Sequence, residues 1–525
     1  MISLKEYMHK RSRNRLLSLL IAFLIMMLVG HQVEFSFAKV VAGLPGMADL
    51  FRRMAHPNFS YMGEVLEKIS ETVEIAVLSS LAGVMMAIPF SLLTSENISP
   101  SLVLSKGLNA IFAFFRTIPS LIWAALLVSV FSIGKFSGII ALTIIAFLMS
   151  LKLFREYIES INENQINSTR SVGAGSLEVL RYCILPNMVG MAVSVFFIVF
   201  ETNIRSATVL GLVGAGGIGQ IMWRDLNHLR YDNLATIILA LFATILFIDT
   251  LSFLVRKFLV RHTPKDQSLE HYRKRKILKS MAIPLGFLGL IAVIINQLNI
   301  TQERLMIGYR QGSHIVFRML QVDFSYYPRL FEGLLESFMI AVFATIVGGF
   351  LAMVLSFFAA SSIAPNRLAS LLTKGLINIM RTFPPIIMAI IFFRGVGPGP
   401  LAGALALSIY TTGVLTKMYS EVLENMPINV RDSVLVTGAS RLEAYRHGVF
   451  PQTFSNFISL LLYRMESNIR NSTILGIIGA GGIGTALTTN ISWRNWERVG
   501  LLLLGVSIMI IFIDRLSNYL RQKVK

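Results

Sequence analysis

Of the 525 residues, 54% are hydrophobic and only 15% charged, with a mean hydropathy of +0.65. A water-soluble chain of this length could not hide that much apolar side chain, so composition places it in a bilayer. Much of the formal charge of +19 clusters before the first apolar span and between the two series of spans, where aromatic residues are few, a distribution that suits cytoplasmic loops better than a nucleic-acid partner. The lone Cys183 excludes an intrachain disulfide and a cysteine metal cluster.

In chain order, Lys5, Lys10, Arg11, Arg13 and Arg15 precede a first apolar span expected near 15–33, which reads as a retained anchor rather than a cleaved signal peptide. Spans near 70–94, 108–131 and 136–150 follow, with Pro119 predicting a broken or tilted third helix. A polar stretch of about 35 residues precedes spans near 187–202 and 232–256. A basic connector at 257–279 then leads to a second series near 279–298, 335–360, 374–395, 401–416, 452–465 and 498–519, with Pro384 inside its third span. The Lys/Arg bias puts the N-terminus, the connector and the C-terminal Arg521, Lys523 and Lys525 on the cytoplasmic side.

The second series is a copy of the first. Glu201-Thr202-Asn203-Ile204-Arg205 recurs as Glu466-Ser467-Asn468-Ile469-Arg470, and Glu71, Arg116, Pro119, Gly173, Pro186 and Asp249 find Glu336, Arg381, Pro384, Gly438, Pro451 and Asp514 at the same 265-residue offset. The expected architecture is all-α and polytopic, with about twelve transmembrane helices in two parallel six-helix repeats, residues 1–262 and 263–525.

The polar stretch reads as a projecting knob. In the second copy Gly438 and Ala439 supply a turn, Ser440 and Glu443 fit a capping box, Arg446 follows, and Pro451 is expected to end the element before the next span. The first copy has Gly173, Ala174, Glu178, Arg181 and Pro186, with Gly175 in the capping position. Leu177 and Leu180, or Leu442 and Tyr445, are expected to share one face that needs a partner or a membrane surface. Presence in duplicate favours a dimeric partner with two equivalent grooves.

Gly214, Gly216, Gly217 and Gly219, repeated as Gly479, Gly481, Gly482 and Gly484, satisfy a G-x-G-x-x-G pattern. The strand–turn–helix context of a dinucleotide site is missing, and the chain contains no phosphate-loop motif, so it is not expected to hydrolyse ATP. The glycines read either as close helix packing or as part of an external gate. Arg116, Thr117, Arg381, Thr382, Arg205 and Arg470 are candidates for an anion path, since a guanidinium offers paired donors to phosphoryl oxygens. The competing reading is an ion pair at i and i+4 for Arg205 and Arg470, and for Arg116 and Arg381 snorkelling or capture of a carbonyl freed by the proline. The eight histidines show no metal-ligand spacing.

With a glycine about thirteen residues before Leu185-Pro186 and again before Phe450-Pro451, the loop resembles the coupling loop of ABC importer membrane subunits. It departs at the usual Glu-Ala-Ala start, where Asn167-Ser168-Thr169 and Asp432-Ser433-Val434 stand. Together with Arg-Thr-Ile-Pro at 116–119, Arg-Thr-Phe-Pro at 381–384, the Asn-Ile-Arg motifs and the glycine runs, the chain resembles two phosphonate-type permeases fused head to tail over roughly 61–258 and 326–523. The resemblance implies a type I importer fold in the bacterial cytoplasmic (inner) membrane and no enzymatic activity of its own. It implies a homodimeric ATPase carrying ATP and Mg on partner chains, an extracytoplasmic binding protein, and a phosphorus oxyanion cargo. The alternatives are a permease for another small solute and an ion-coupled secondary transporter.

Overall fold

Every regular element among the described residues is helical, as long apolar runs in lipid require, because a helix satisfies its own backbone groups. The structure is a computed structural model and describes residues 24, 26–260, 289, 292 and 301–524. Most of the span expected near 15–33, nearly all of the one near 279–298, the N-terminal basic cluster and the repeat boundary at 262/263 lie outside the described residues.

The first copy contributes α1 (Phe37–Met54), α2 (Met62–Thr94), α3 (Leu102–Thr117), α4 (Ser120–Phe131), α5 (Lys135–Glu159), α6 (Glu163–Ser171), α7 (Ser176–Val179), α8 (Leu185–Leu210), α9 (Ile218–Asn227) and α10 (Tyr231–Val260). The second copy repeats them in the same order. They are α11 (Gln302–Leu320), α12 (Tyr327–Ala359), α13 (Arg367–Thr382), α14 (Pro385–Val396), α15 (Pro400–Glu424), α16 (Ile428–Leu435), α17 (Arg441–Ala444), α18 (Phe450–Leu475), α19 (Ile483–Ser492) and α20 (Trp496–Val524). Among the described residues 7 helices are long and apolar enough to cross a membrane, and up to 9 spans result if each of two bent pairs counts as one. Those pairs are α3 with α4, bent by 86°, and α13 with α14, bent by 87°. The prolines cause the corners: Ile118 and Phe383, each preceding a proline, are extended, and Pro119 and Pro384 cap the next helix. Helix α18 matches α8 in length but carries Arg464, Glu466 and Arg470, so its apolar signal is weaker.

Contacts divide the chain into two compact units, Arg53–Phe317 and Met1–Arg52 with Arg318–Lys525. Each unit therefore includes the leading helix of the other sequence copy. In the unit holding the second copy, α1 lays Gly43 and Gly46 on the backbone of Arg394 and Gly395, and Phe35 stands 5.4 Å from the Phe343 ring. In the other unit, α11 sets Gly308 against Phe131 and the Arg304 guanidinium 5.3 Å from the centre of the Phe136 ring.

Inside each unit small residues allow close helix crossings. A Cβ added at Gly83 of α2 would stand 2.7 Å from the Phe147 amide of α5, and one at Gly348 of α12 would stand 2.8 Å from the Ser408 carbonyl of α15. At one end of the first bundle Phe154, Ile158, Ile166, Val179, Cys183 and Ile184 form a buried cluster that pins α6 and α7 to α5. In the second, Tyr419 stacks on Phe457 at 4.2 Å, with Val430, Tyr445, Val449 and Phe450 packed around them.

Candidate functional site

The polar loop of each copy is a helix, a glycine turn and a second helix. Gly173 (φ +88) and Gly438 (φ +85) adopt the left-handed conformation that glycine alone enters freely, and each donates its amide back to the preceding helix, to Arg170 and Leu435. The capping box is present: the Glu443 carboxylate accepts from the Ser440 amide at 2.7 Å and its hydroxyl at 2.8 Å, and the Glu443 amide donates to the hydroxyl at 3.3 Å. The amide of Ser440, and then its hydroxyl, hold the Glu443 carboxyl below the ordinary carboxylate range. In the first copy the Glu178 carboxylate lies beside Gly175.

Two sequence expectations are corrected here. Pro186 and Pro451 do not end the element, since each sits in the first turn of α8 or α18, where no amide hydrogen is required. A π turn, Leu180–Ile184 or Tyr445–Val449, makes the join, with Leu185 and Phe450 donating five residues back. The knob is thus continuous with a 26-residue helix in each copy, about 39 Å long. Nor do Leu180 and Tyr445 share an outward face with Leu177 and Leu442: they pack inward, while Leu177 (77% exposed) and Leu442 (60%) project. Arg181, Glu178 and Arg446 are exposed around them, and Ala174 and Ala439 are half-buried.

At the other end of α8 and α18 lie the glycine runs. Gly214, Gly216 and Gly217, like Gly479, Gly481 and Gly482, all have positive φ. Gly219 and Gly484 meet the Thr208 and Thr473 carbonyls and the backbones of Gly211 and Gly476. The next helix begins with a borrowed cap: the Ile218 amide donates to Thr72 Oγ1, and the Ile483 amide to Ser337 Oγ, both at 2.8 Å. Thr72→Val removes that acceptor while keeping the side chain's shape, and is expected to destabilise the protein by about 1–3 kcal/mol through the orphaned amide. Thermal unfolding of the detergent-solubilised chain measures it, and an unchanged midpoint would dismiss the cap.

Between these ends the interior holds small polar nodes. Asn203 donates to Ser79 at 3.1 Å and Ser80 at 2.9 Å, joining α8 to α2. Asn468 donates to Thr345 at 2.9 Å and accepts from Thr411 at 3.0 Å, joining α18 to α12 and α15. Both asparagines are buried, and the repeat itself pointed to them. Arg205 pairs with Glu201 at 2.5 Å and Asp249 at 3.4 Å, and Arg470 with Glu466. Arg116 and Arg381 are each in the last turn before a proline corner, where a cation suits the helix C-terminus. Thr117 donates to the Phe114 carbonyl at 2.6 Å, and Thr382 ends α13.

One functional candidate escaped sequence reasoning. Arg464 of α18 is only 6% exposed, and its guanidinium carbon lies 4.7 Å from the centre of the Tyr410 ring of α15. Position by position, the 265-residue offset puts Val199 and Ile145 opposite it in the first copy. That comparison would have exposed it, whereas a search for repeated residues passes over it.

Residues 79–264 and 352–525 match the family described as binding-protein-dependent transport system inner membrane component. The phosphate-import permease protein PhnE of Mycolicibacterium smegmatis is 26% identical over 496 residues, covering 94% of this chain and 92% of that protein. The phosphite transport system permease protein PtxC of Stutzerimonas stutzeri is 32% identical over 203 residues, covering 39% of this chain and 74% of its own. Proteins of this kind work with ATPase subunits and a substrate-binding protein. With the family domain present in two copies on a polytopic helical scaffold, the chain belongs to the binding-protein-dependent transport system inner membrane component family and is a transport permease subunit, not an enzyme.

Proposed function

We propose that this chain forms the membrane pathway of an ATP-driven importer for a phosphorus oxyanion: phosphate, phosphite or a phosphonate. The observation that carries the reading is the likeness to a phosphate-import permease along nearly the whole chain, both repeats included. The two loops, with Leu177 and Leu442 exposed at their tips, dock into a homodimeric ATPase that holds ATP and Mg, in the cytoplasm of a bacterial cell whose inner membrane houses the permease. Both chain ends are cytoplasmic on this reading, in keeping with the Lys/Arg bias. The glycine runs at the far ends of α8 and α18 close the outer mouth, which faces the binding protein. Because α7 and α17 continue into those helices, closure of the ATPase dimer swings them as levers and alternates access across the membrane. Arg116, Thr117, Arg381 and Thr382, at the two proline corners, are proposed to flank the pathway, with Arg205 and Arg470 holding the helices through their ion pairs.

Reconstitution with a candidate ATPase and binding protein tests this. ATP hydrolysis and tracer uptake in proteoliposomes are expected to rise with one of phosphate, phosphite or methylphosphonate. Uptake driven by an ion gradient without any ATPase, or stimulation only by an uncharged or cationic solute, would sink it.

A further inference from the structure

The halves are alike in backbone but not in what they bury at one place. On α18 the face Thr453, Asn456, Leu460 and Arg464 corresponds at the 265-residue offset to Met188, Met191, Val195 and Val199 of α8. Val199 belongs to an apolar core, whereas Arg464 puts a cation at the same depth, about 21 Å along its helix. Tyr410, which stands where the first copy has Ile145, supplies an aromatic face to it.

That cation is incompletely satisfied. Its Nη1 reaches Ser467 Oγ only at 3.4 Å, and its Nε and Nη2 are buried with no hydrogen-bond acceptor among the described residues. The nearest carboxylate along α18, Glu466, is engaged elsewhere, with Arg470. A buried guanidinium in a membrane interior is costly without a counter-charge, and its two free donors are arranged to grip one oxyanion through parallel hydrogen bonds. A cavity of about 500 Å³ opens between α15 and α18 toward the loop end, lined by the Glu421 carboxylate, by Asn425, Gln452, Thr453 and Asn456, and by apolar side chains that include, one turn short of Arg464, Leu460. Its volume is that of a small-ligand site.

Resting on the importer reading above, we propose that Arg464, backed by Tyr410, is a single oxyanion subsite inside the membrane, so that the second half holds the charge of the transported anion and the first half does not. A phosphoryl group passing along α18 would exchange its water for Nε and Nη2.

The test uses the full complex of permease, ATPase and binding protein in proteoliposomes, with radiolabelled inorganic phosphate and methylphosphonate as probes. Arg464→Val combined with Tyr410→Ile installs the first copy's residues at both positions and so favours a folded helix pair. It is expected to lower the anion transported per ATP hydrolysed at least tenfold, at equal membrane abundance and equal substrate-free ATPase rate. Arg464→Lys, which keeps the charge but not the fork, is expected to recover part of the loss, and Val199→Ile to change nothing. Should the double variant fail to insert, Arg464→Gln carries the same two readings. Transport per ATP within twofold of wild type in the neutral variants, or a loss explained wholly by lower melting temperature and abundance, overturns the subsite and leaves the importer reading standing. A wild-type complex that carries neither probe while carrying another class of solute overturns both.

Discussion

Replacing Gly484 by alanine is expected to strip the folded permease from the membrane, and Gly219→Ala to do the same through the first repeat. A Cβ at Gly484 would collide with the Thr473 carbonyl oxygen and stand 3.0 Å from Gly476 Cα, while a Cβ at Gly476 would stand 2.6 Å from Gly484 Cα. All of these obstacles are backbone, so no side-chain rotation relieves them. The helix following the glycine run must separate from the end of α18, which also pulls the Ile483 amide from Ser337. Overpacking of this kind costs about 3 kcal/mol or more, a large part of a typical margin of stability. The control is Gly375→Ala in α13, where an added Cβ meets nothing within 4 Å. There the better helix former should be neutral or stabilising by up to about 1 kcal/mol. Size-exclusion fluorescence with a temperature ramp separates the two, and a Gly484→Ala protein that melts with the Gly375→Ala control would refute the backbone crossing.

The glycine run shows what a sequence can and cannot disclose. Its pattern was visible, and so was the absence of the strand a dinucleotide site needs. That Gly219 and Gly484 meet backbone, while Gly217 and Gly482 meet the Thr72 and Ser337 hydroxyls, depends on long-range helix placement, which no local spacing encodes. The long spans, the repeat, the proline corners and the Ser440–Glu443 box were legible because each rests on a local rule: apolar length, register, the restricted residue before proline, or a three-residue reach. Three features are not legible in this way. A proline ordinarily signals a stop, but Pro186 and Pro451 stand in a first turn where no amide is required, and the ladder before them widens into a π turn that carries the helix through. The exchange of α1 and α11 between compact units is a long-range choice, made by small faces such as Gly43 and Gly46 against Gly395, and sequence order alone favours the wrong neighbour. Arg464 escaped for the opposite reason: attention to what the copies share hides where they differ.

The polar loop proposed to dock the ATPase yields the other large effect. Gly438→Val forces a β-branched residue into the left-handed region, at roughly 1–2 kcal/mol, though its Cβ would meet nothing within 4 Å. Strain alone would therefore tilt or fray α17 without unfolding the bundle, whose core lies beyond it in Tyr419, Leu423 and Phe457. Adding Ser440→Ala removes the cap, at about 0.5–2 kcal/mol of local helix stability. Since α17 runs through the π turn into α18, loss of its first turn disconnects the lever at the end where the ATPase is proposed to hold it. The double variant is expected to reach the membrane in normal amount and to lose binding-protein-stimulated ATP hydrolysis at least about tenfold, a barrier change of roughly 1.4 kcal/mol. Glu443 sets the sign of the pH dependence. Its carboxyl is depressed in the folded loop, so the stability it adds is fully present above the ordinary carboxylate range and is lost only as pH falls through the lowered value. Coupling by the wild-type loop should thus be insensitive to this group between about pH 6 and about pH 8, whereas Glu443→Gln should weaken coupling across that whole range. Hydrolysis and uptake measured together decide the matter: if the Gly438→Val, Ser440→Ala protein still spends ATP in proportion to the anion it carries, the rigid junction is not the transmission element.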